Sequence, residues 1–314
     1  MKLSADSVSR VRRIMPQEPS NRTDVFTRDW PHQKIDPASY IGRQERQTDV
    51  ADAQRLARLA AMLDHETPPW ADGVVPFLGH WLFFQPRVLR SRIGPDGHPS
   101  RDGDGLLPAV ELPRRMWAGS RVRFLRDLPV GAPLTRISTV VNVSSKSGRT
   151  GRLLFVMLRH EIVSVGGETA IVEDQDIVYR EAAMQGASVE PRAVDSGQSD
   201  PITRVVHPDP ILLFMFSALT LNGHRIHYDL PYCREAEGYP NLVVHGPLIA
   251  TLLMDHLLCH RPMARVSAFS FKAVGPSFAG EPLHLGLSEV DETTLRLRAV
   301  GPAGPAVIAT AELA

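Results

Sequence analysis

The stretch Val243-Val-His-Gly-Pro-Leu-Ile-Ala-Thr-Leu-Leu-Met-Asp-His-Leu-Leu-Cys259 decides how this chain folds. From Pro247 to about Cys259 it is apolar nearly all round. A helix without a polar face is buried, and a curved sheet is a surface that can wrap it. Its ends are marked. Gly246 is a tolerated N-cap, Pro247 suits the first helical position, and Pro262 stops the run. His256, His260 and Arg261 then fall near the negative end of the helix dipole.

Strand signals follow this helix. Val266–Ala273, Leu283–Val290, Thr294–Val300 and Ala306–Leu313 are short apolar runs of the kind that pair in an antiparallel sheet. The same order occurs earlier in the chain. Leu134–Ser144, Leu153–Val163 and Thr169–Tyr179 are rich in Val, Ile and Thr, with turns at Lys146-Ser-Gly148 and Gly166-Gly167. Three matches between the halves support a repeat. The helical run from Leu56 to Asp64 sits beside Leu213 to Gly223, Val74–Phe84 beside Val243–Leu253, and Arg123–Thr135 beside Ser270–His284. The last pair shares Gly-x-Pro-Leu at Gly131 and Gly280, a turn that feeds a new strand. Each half therefore reads as a helix followed by an antiparallel sheet of about four strands, an α+β pattern.

These signals divide the chain into an N-terminal arm (1–33), a first half (34–180), an Ala-, Ser- and Gly-rich linker (181–200) and a second half (201–314). Gln85–Gly119 has no counterpart in the second half and carries Gly94, Gly97, Gly103 and Gly105. It reads as a long loop, of a length that is usually functional or disordered.

Composition bounds the function. The 314 residues carry 35 Lys+Arg against 35 Asp+Glu, so no global field attracts nucleic acid or an anionic membrane. An anionic ligand must be held by a local arginine cluster. No run approaches the length of a membrane span, and the N-terminus has no secretory apolar core. Cys233 and Cys259 imply no disulfide framework, so the expected compartment is a reduced cytoplasm. No Gly-x-Ser-x-Gly elbow, P-loop or dinucleotide fingerprint is present, which weakens hydrolase, kinase and dehydrogenase readings. Exposed edges of two sheets favour a homodimer.

The chemistry gathers in Phe216-Ser-Ala-Leu-Thr-Leu-Asn-Gly-His-Arg-Ile-His-Tyr-Asp229, where Asn222 stands five positions before His227. A histidine exchanges protons near neutral pH, and the start of a buried helix offers an unpaired backbone N–H to a developing oxyanion. Together they suit polarising a thioester carbonyl and adding or removing water beside it. Each residue also has a plainer reading. His227 alone could be a satisfied structural histidine, Asn222 a helix C-cap amide, His224 an exposed loop residue, and His245 a local hydrogen-bonder that sets the loop for Gly246. Asp255, His256, Cys259 and His260 invite a metal reading, which the buried helix and its dipole disfavour.

A buried helix wrapped by an antiparallel sheet, doubled within one chain, is the double hot-dog architecture. Asn222-Gly-His-Arg-Ile-His-Tyr-Asp229, Glu237-Gly-Tyr-Pro240, Val244-His-Gly-Pro247 and Pro113-Arg-Arg-Met-Trp-Ala-Gly119 together resemble the MaoC-like (R)-specific enoyl-CoA hydratase superfamily. Within it the resemblance is to the branch of mesaconyl-C4-CoA and itaconyl-CoA hydratases and 3-hydroxyacyl-thioester dehydratases. It implies an acyl-CoA thioester substrate and no metal or organic cofactor. The family pattern Asp-x-Asn-Pro-x-His maps its histidine to His227 and its aspartate to Asn222, and its Asn-Pro pair to His224-Arg225. The oxyanion donor maps to the N–H of Gly246. An amide orients water but carries no proton. Either His227 performs both proton steps or another carboxylate assists. Asp229 is the nearest, sharing a face with His227 if residues 225–229 are extended.

Arg114, Arg115 and Arg225 are either solvated charges or readers of a substrate carboxylate or the CoA phosphates, with His224 and His245 as further contacts. The first half has Pro69 five positions after Asp64 and no His-Gly before Pro76. One active site per chain is therefore expected, the first half shaping the acyl and CoA channel. A thioesterase using Asp255, or a silent acyl-CoA-binding subunit, are the other readings.

Overall fold

In the computed structural model, which describes residues 36–100, 105–148, 151–164, 166–181 and 200–314, both halves join one antiparallel sheet of ten strands. The N-terminal arm and the linker fall outside the described residues apart from the linker's two ends. The first half supplies β1 (Gln44–Val50), β2 (Arg114–Phe124), β3 (Pro133–Gly148), β4 (Gly151–Val163) and β5 (Thr169–Arg180). The second supplies β6 (Ile202–Val206), β7 (Val266–Ala273), β8 (Leu283–Glu289), β9 (Thr294–Gly301) and β10 (Gly304–Leu313). The order β1-β3-β4-β5-β2-β7-β10-β9-β8-β6 is symmetric about the β2–β7 pair. That pair runs from Gly119 opposite Lys272 to Arg123 opposite Ala268. Glycine is required at 119, because a Cβ there would stand 2.3 Å from the carbonyl oxygen of Phe271.

The repeat extends to single hydrogen bonds. Helix α1 (Ala53–Met62) is capped by Asp52 and helix α2 (Pro210–Thr220) by Asp209, each side chain accepting backbone N–H groups of the first turn. Gly131 and Gly280 both adopt φ of 82°. Their N–H groups donate to Ala51 and Pro208, the residues preceding the two caps. Only glycine takes this left-handed conformation without a Cβ penalty. The shared Gly-x-Pro-Leu turn therefore fixes how each sheet half returns to its first helix.

Helix α4 (Gly246–His260) is the buried helix that the sequence requires. His245 is its N-cap and Gly246 its first residue, so the helix starts one position earlier than expected. Leu248, Leu253 and Leu257 are fully buried, against Leu283, Leu285 and Leu287 of β8 and Leu295 and Leu297 of β9, also 0% exposed. The first half differs. Its counterpart of α4 is a single 3-10 turn, Gly79–Leu82, while α1 matches α2. Where α4 covers leucines, the inward face of β3–β5 carries Arg136, Ser138, His160, Glu173 and Gln175, and these line a cavity.

Three strands lie beyond the sequence reading. β1 is a short, polar edge strand, β6 is a five-residue edge strand whose Ile202-Thr-Arg-Val-Val206 signal goes unread beside the linker, and β2 begins at Arg114, inside the segment read as loop. Replacing Leu253 by Ala leaves a void beneath an unbroken helix. Urea unfolding is expected to show a loss of about 2–5 kcal/mol, and a loss near zero would mean α4 is not the packed centre of the second half.

Candidate active site

α2 ends at Leu221, whose φ of 49° and ψ of 41° turn the chain out of the helix. Asn222 donates its N–H to Ser217 O at 2.8 Å, and its Oδ1 accepts the N–H of His224 at 3.0 Å. The left-handed position is therefore Leu221, and the Asn222 carbonyl oxygen is engaged in the turn. The Nδ2 donors are the part of this amide left to hold a ligand oxygen. A 3-10 turn, Arg225–His227, then carries His227 into the core.

His227 is 6% exposed. Its Nδ1 donates to Val243 O at 2.7 Å, because a carbonyl can only accept. In the neutral ring this fixes Nε2 as the proton acceptor. Burial lowers the pKa of His227 to about 4, with the Val243 bond opposing the shift and the charge of His98 adding to it. The His245 ring stacks on it at 3.5 Å and 19°. His245 is 1% exposed, and its Nε2 meets Ser217 Oγ at 2.9 Å. That contact ties the start of α4 to α2, which is the loop-setting role considered for His245. Its Nδ1 is buried without a hydrogen-bond partner.

Gly246 opens α4, so no intrahelical carbonyl satisfies its N–H. A Cβ at this position would meet protein atoms no closer than 3.8 Å, at Trp117 O. Protein packing does not demand glycine here. A bare backbone leaves the N–H open to close approach by a ligand. His227, Asn222, His224, His245 and Gly246 all line one cavity of about 2520 Å³, shared with the polar face of the first half.

The other candidates divide. Arg115 lines the cavity, and its charge contributes to lowering the pKa of His224. Arg114 also lines it, but its guanidinium is buried against the Glu237 carboxylate at 2.8 Å and also donates to the Glu237 carbonyl. Two expectations are corrected. Residues 225–229 are not extended, so Asp229 does not share a face with His227. Its carboxylate caps helix α3 (Leu230–Glu235) and pairs with Arg225 at 2.7 Å. Neither Asp229 nor Arg225 is among the cavity-lining residues. Arg225 instead donates to Pro95 O at 2.9 Å and lies over the Tyr232 ring.

Asp255 is likewise away from the cavity, bonded to His65 at 2.6 Å and Arg204 at 2.7 Å. His65, Asp255 and Cys259 do bring ligand-type atoms together, but the Arg204 cation already faces that carboxylate.

His98 was not singled out from the sequence. It comes from the long segment 85–113, and its ring centroid lies 4.1 Å from that of His224. The legible signal was Asp96-Gly-His98 inside a glycine-bearing insertion.

Residues 78–279 match the family described as hydroxyacyl-thioester dehydratase type 2. The chain is 43% identical over 277 residues to the mesaconyl-C(4)-CoA hydratase of Chloroflexus aurantiacus, covering 88% of this chain and 97% of the relative. A solved MaoC-like dehydratase superposes with a TM-score of 0.67 at 12% identity, covering 88% of this chain and 99% of that one. A Mycobacterium tuberculosis protein described as a double hotdog fold superposes with a TM-score of 0.52 at 15% identity, covering 87% of this chain and 96% of that one. The structural matches at these identities establish the fold, the double hot-dog.

Buried histidines make stability pH-dependent. Burial holds His227 and His160 near 4, whereas in the unfolded chain each returns to its ordinary 6.5. Below 6.5 the unfolded chain binds more protons than the native one. The contribution is therefore complete above that pH and is lost as pH falls toward 4. Urea unfolding at about pH 7.5 and about pH 5 is expected to show lower stability at the acid value, and His227→Gln should flatten the slope by up to about 1.4 kcal/mol per pH unit. An unchanged slope in the variant would show that His227 is not held neutral.

Proposed function

The chain belongs to the hydroxyacyl-thioester dehydratase type 2 family, and on that premise we propose that it reversibly hydrates the double bond of a short enoyl-CoA thioester, with mesaconyl-C4-CoA as the leading substrate. The observation that carries this reading is the pairing of His227, its Nδ1 fixed on Val243 O, with the N–H that opens α4, in one cavity.

Water adds to the β-carbon as its proton passes to His227 Nε2. The π electrons move onto the carbonyl oxygen, and the enolate is held by the Gly246 N–H. The α-carbon then takes a proton, and elimination is the reverse. Asn222 holds the water or the product hydroxyl through Nδ2. A preorganised donor at the oxyanion contributes about 3–4 kcal/mol, and a positioned acid–base group about 10²–10⁴-fold. The reading requires neither a metal nor an organic cofactor.

The cavity lining also includes Arg46, Arg87, Arg90, Arg115 and Lys272, a cationic set suited to the phosphates of CoA and to a substrate carboxylate. Residues 201–314 serve as the catalytic half and 34–180 as the half that shapes the acyl channel. A homodimer in the cytoplasm, with no nucleic-acid or membrane partner, completes the reading. It is supported by β1 and β6, which end the sheet among the described residues. No helix among the described residues is long and apolar enough to cross a membrane. The thioesterase alternative lacks support, since Asp255 is turned to His65 and Arg204 outside the cavity.

The test is loss of enoyl absorbance with crotonyl-, mesaconyl- and itaconyl-CoA. His227→Ala with an unchanged unfolding curve is expected to lower turnover by about 10²-fold or more. Undiminished turnover ends the assignment of His227, and a folded wild-type chain that binds but hydrates none of the three is a binding subunit instead. With His227 held near 4, the wild-type rate is expected to stay flat from pH 6.5 down to about 5 before it falls.

A further inference from the structure

Hydration moves two protons, one off water and one onto the α-carbon, and the family aspartate is an amide in this chain. Asn222 cannot carry a proton, and its Oδ1 is already engaged by the N–H of His224. Asp229 is committed to Arg225 and the α3 cap. His224 is nearly buried, and burial, with the charges of His98 and His227, holds it neutral. None of these can deliver the second proton.

The turn at residues 95–98 brings another group to the site. His98 Nδ1 lies 3.2 Å from the Asp96 carboxylate, whose other oxygen accepts the His98 N–H at 3.0 Å. The two side chains are 15% and 17% exposed. The loop is fastened to the catalytic turn through backbone. The N–H of Arg225 donates to Asp96 O at 2.9 Å, the Arg225 guanidinium donates to Pro95 O, and Gly97 packs against Gly223 so closely that a Cβ would stand 1.8 Å from its carbonyl oxygen. His98 lines the same cavity as His227, and its ring lies 4.1 Å from that of His224 at a tilt of 41°; the His224 ring in turn sits 5.4 Å from that of His227.

We propose that His98, oriented by Asp96, is the second proton-transfer residue of the hydration, in place of the carboxylate absent at Asn222. This rests on the hydratase reading. In the first step the water O–H bond breaks, its proton goes to His227 Nε2 and a C–O bond forms at the β-carbon. In the second the enolate collapses and a C–H bond forms at the α-carbon with the proton of the His98 imidazolium, leaving neutral His98. His227 releases its proton to solvent and His98 regains one, so the sum is water added across the double bond.

A carboxylate against one ring nitrogen favours the protonated imidazole, and with Nδ1 on Asp96 the exchanging nitrogen is Nε2. Among the described residues, the charged and titratable groups around the pair include His224 and His227 on the turn, Arg225, Arg115 on β2, and Tyr232 and Glu237, which feel the charge of Asp96.

The experiment compares wild type, His98→Gln and Asp96→Asn in mesaconyl-CoA or crotonyl-CoA hydration across pH, whichever the wild type turns over. Exchange of the α-proton of the 3-hydroxyacyl-CoA product is followed in D2O. Wild type is expected to lose rate at alkaline pH as His98 deprotonates. His98→Gln should lower kcat about 10²-fold with KM little changed, abolish the alkaline limb and slow α-proton exchange in parallel. Asp96→Asn should move that limb to lower pH, and it keeps the test open if His98→Gln fails to fold. A His98→Gln enzyme with wild-type kcat, or with reduced kcat and an unchanged pH profile, overturns the role while the hydratase reading stands. A wild-type chain that hydrates no enoyl-CoA removes both.

Discussion

The peptide unit at Val243 holds the active site together. Its N–H donates to Ile226 O at 2.9 Å and its carbonyl accepts from His227 Nδ1 at 2.7 Å. Val243 also bridges to Phe278, just before the turn that leads into β8. Three positions further on, α4 begins at Gly246. One short extended segment thus sets the tautomer of the histidine, the height of the turn that carries it and the place where the helix offers its first N–H. The stacked ring of His245, bonded to Ser217 on α2, leaves little freedom for either histidine to rotate.

The first half has given up its central helix, and the chemistry of its inner face has changed accordingly. In the second half α4 rests on the leucines of β8 and β9. In the first half, Glu173 receives hydrogen bonds from Trp81 and Ser120 and contacts His80 at 3.0 Å, while Ser138 meets His160. Burial works to raise the pKa of Glu173, but His80 and its other partners outweigh it and hold the carboxylate near 2. Polar groups of this kind are tolerated where they satisfy one another and border an open cavity. A shared sheet frame therefore supports an apolar, packed half and a polar, hollow half.

The double architecture was legible because its signals are local. A mostly apolar run framed by Gly246-Pro247 and Pro262 reads as a buried helix, and Gly131 and Gly280 mark the same turn twice. His227, Asn222 and Gly246 were legible as a spacing. The misreadings share a cause. Edge strand β1 gains its conformation from a neighbour's hydrogen bonds rather than from its own residues. Asp229 and Arg225 changed role because a 3-10 turn replaced an extended segment, a difference of a few backbone angles that composition does not encode. His98 was missed because the ring it faces in the site, His224, lies more than a hundred positions away, in the other half of the repeat.

The meeting of Gly97 and Gly223 has a consequence for how such chains diversify. Two main chains touch there with no side chain between them, so a residue larger than glycine on either side must push the insertion off the turn. A loop transplanted from a relative would seat only if it brought its own bare position into register with this one. Selectivity in the hollow half and reactivity in the packed half are thereby inherited as a single unit, joined by a gap the width of one methyl group.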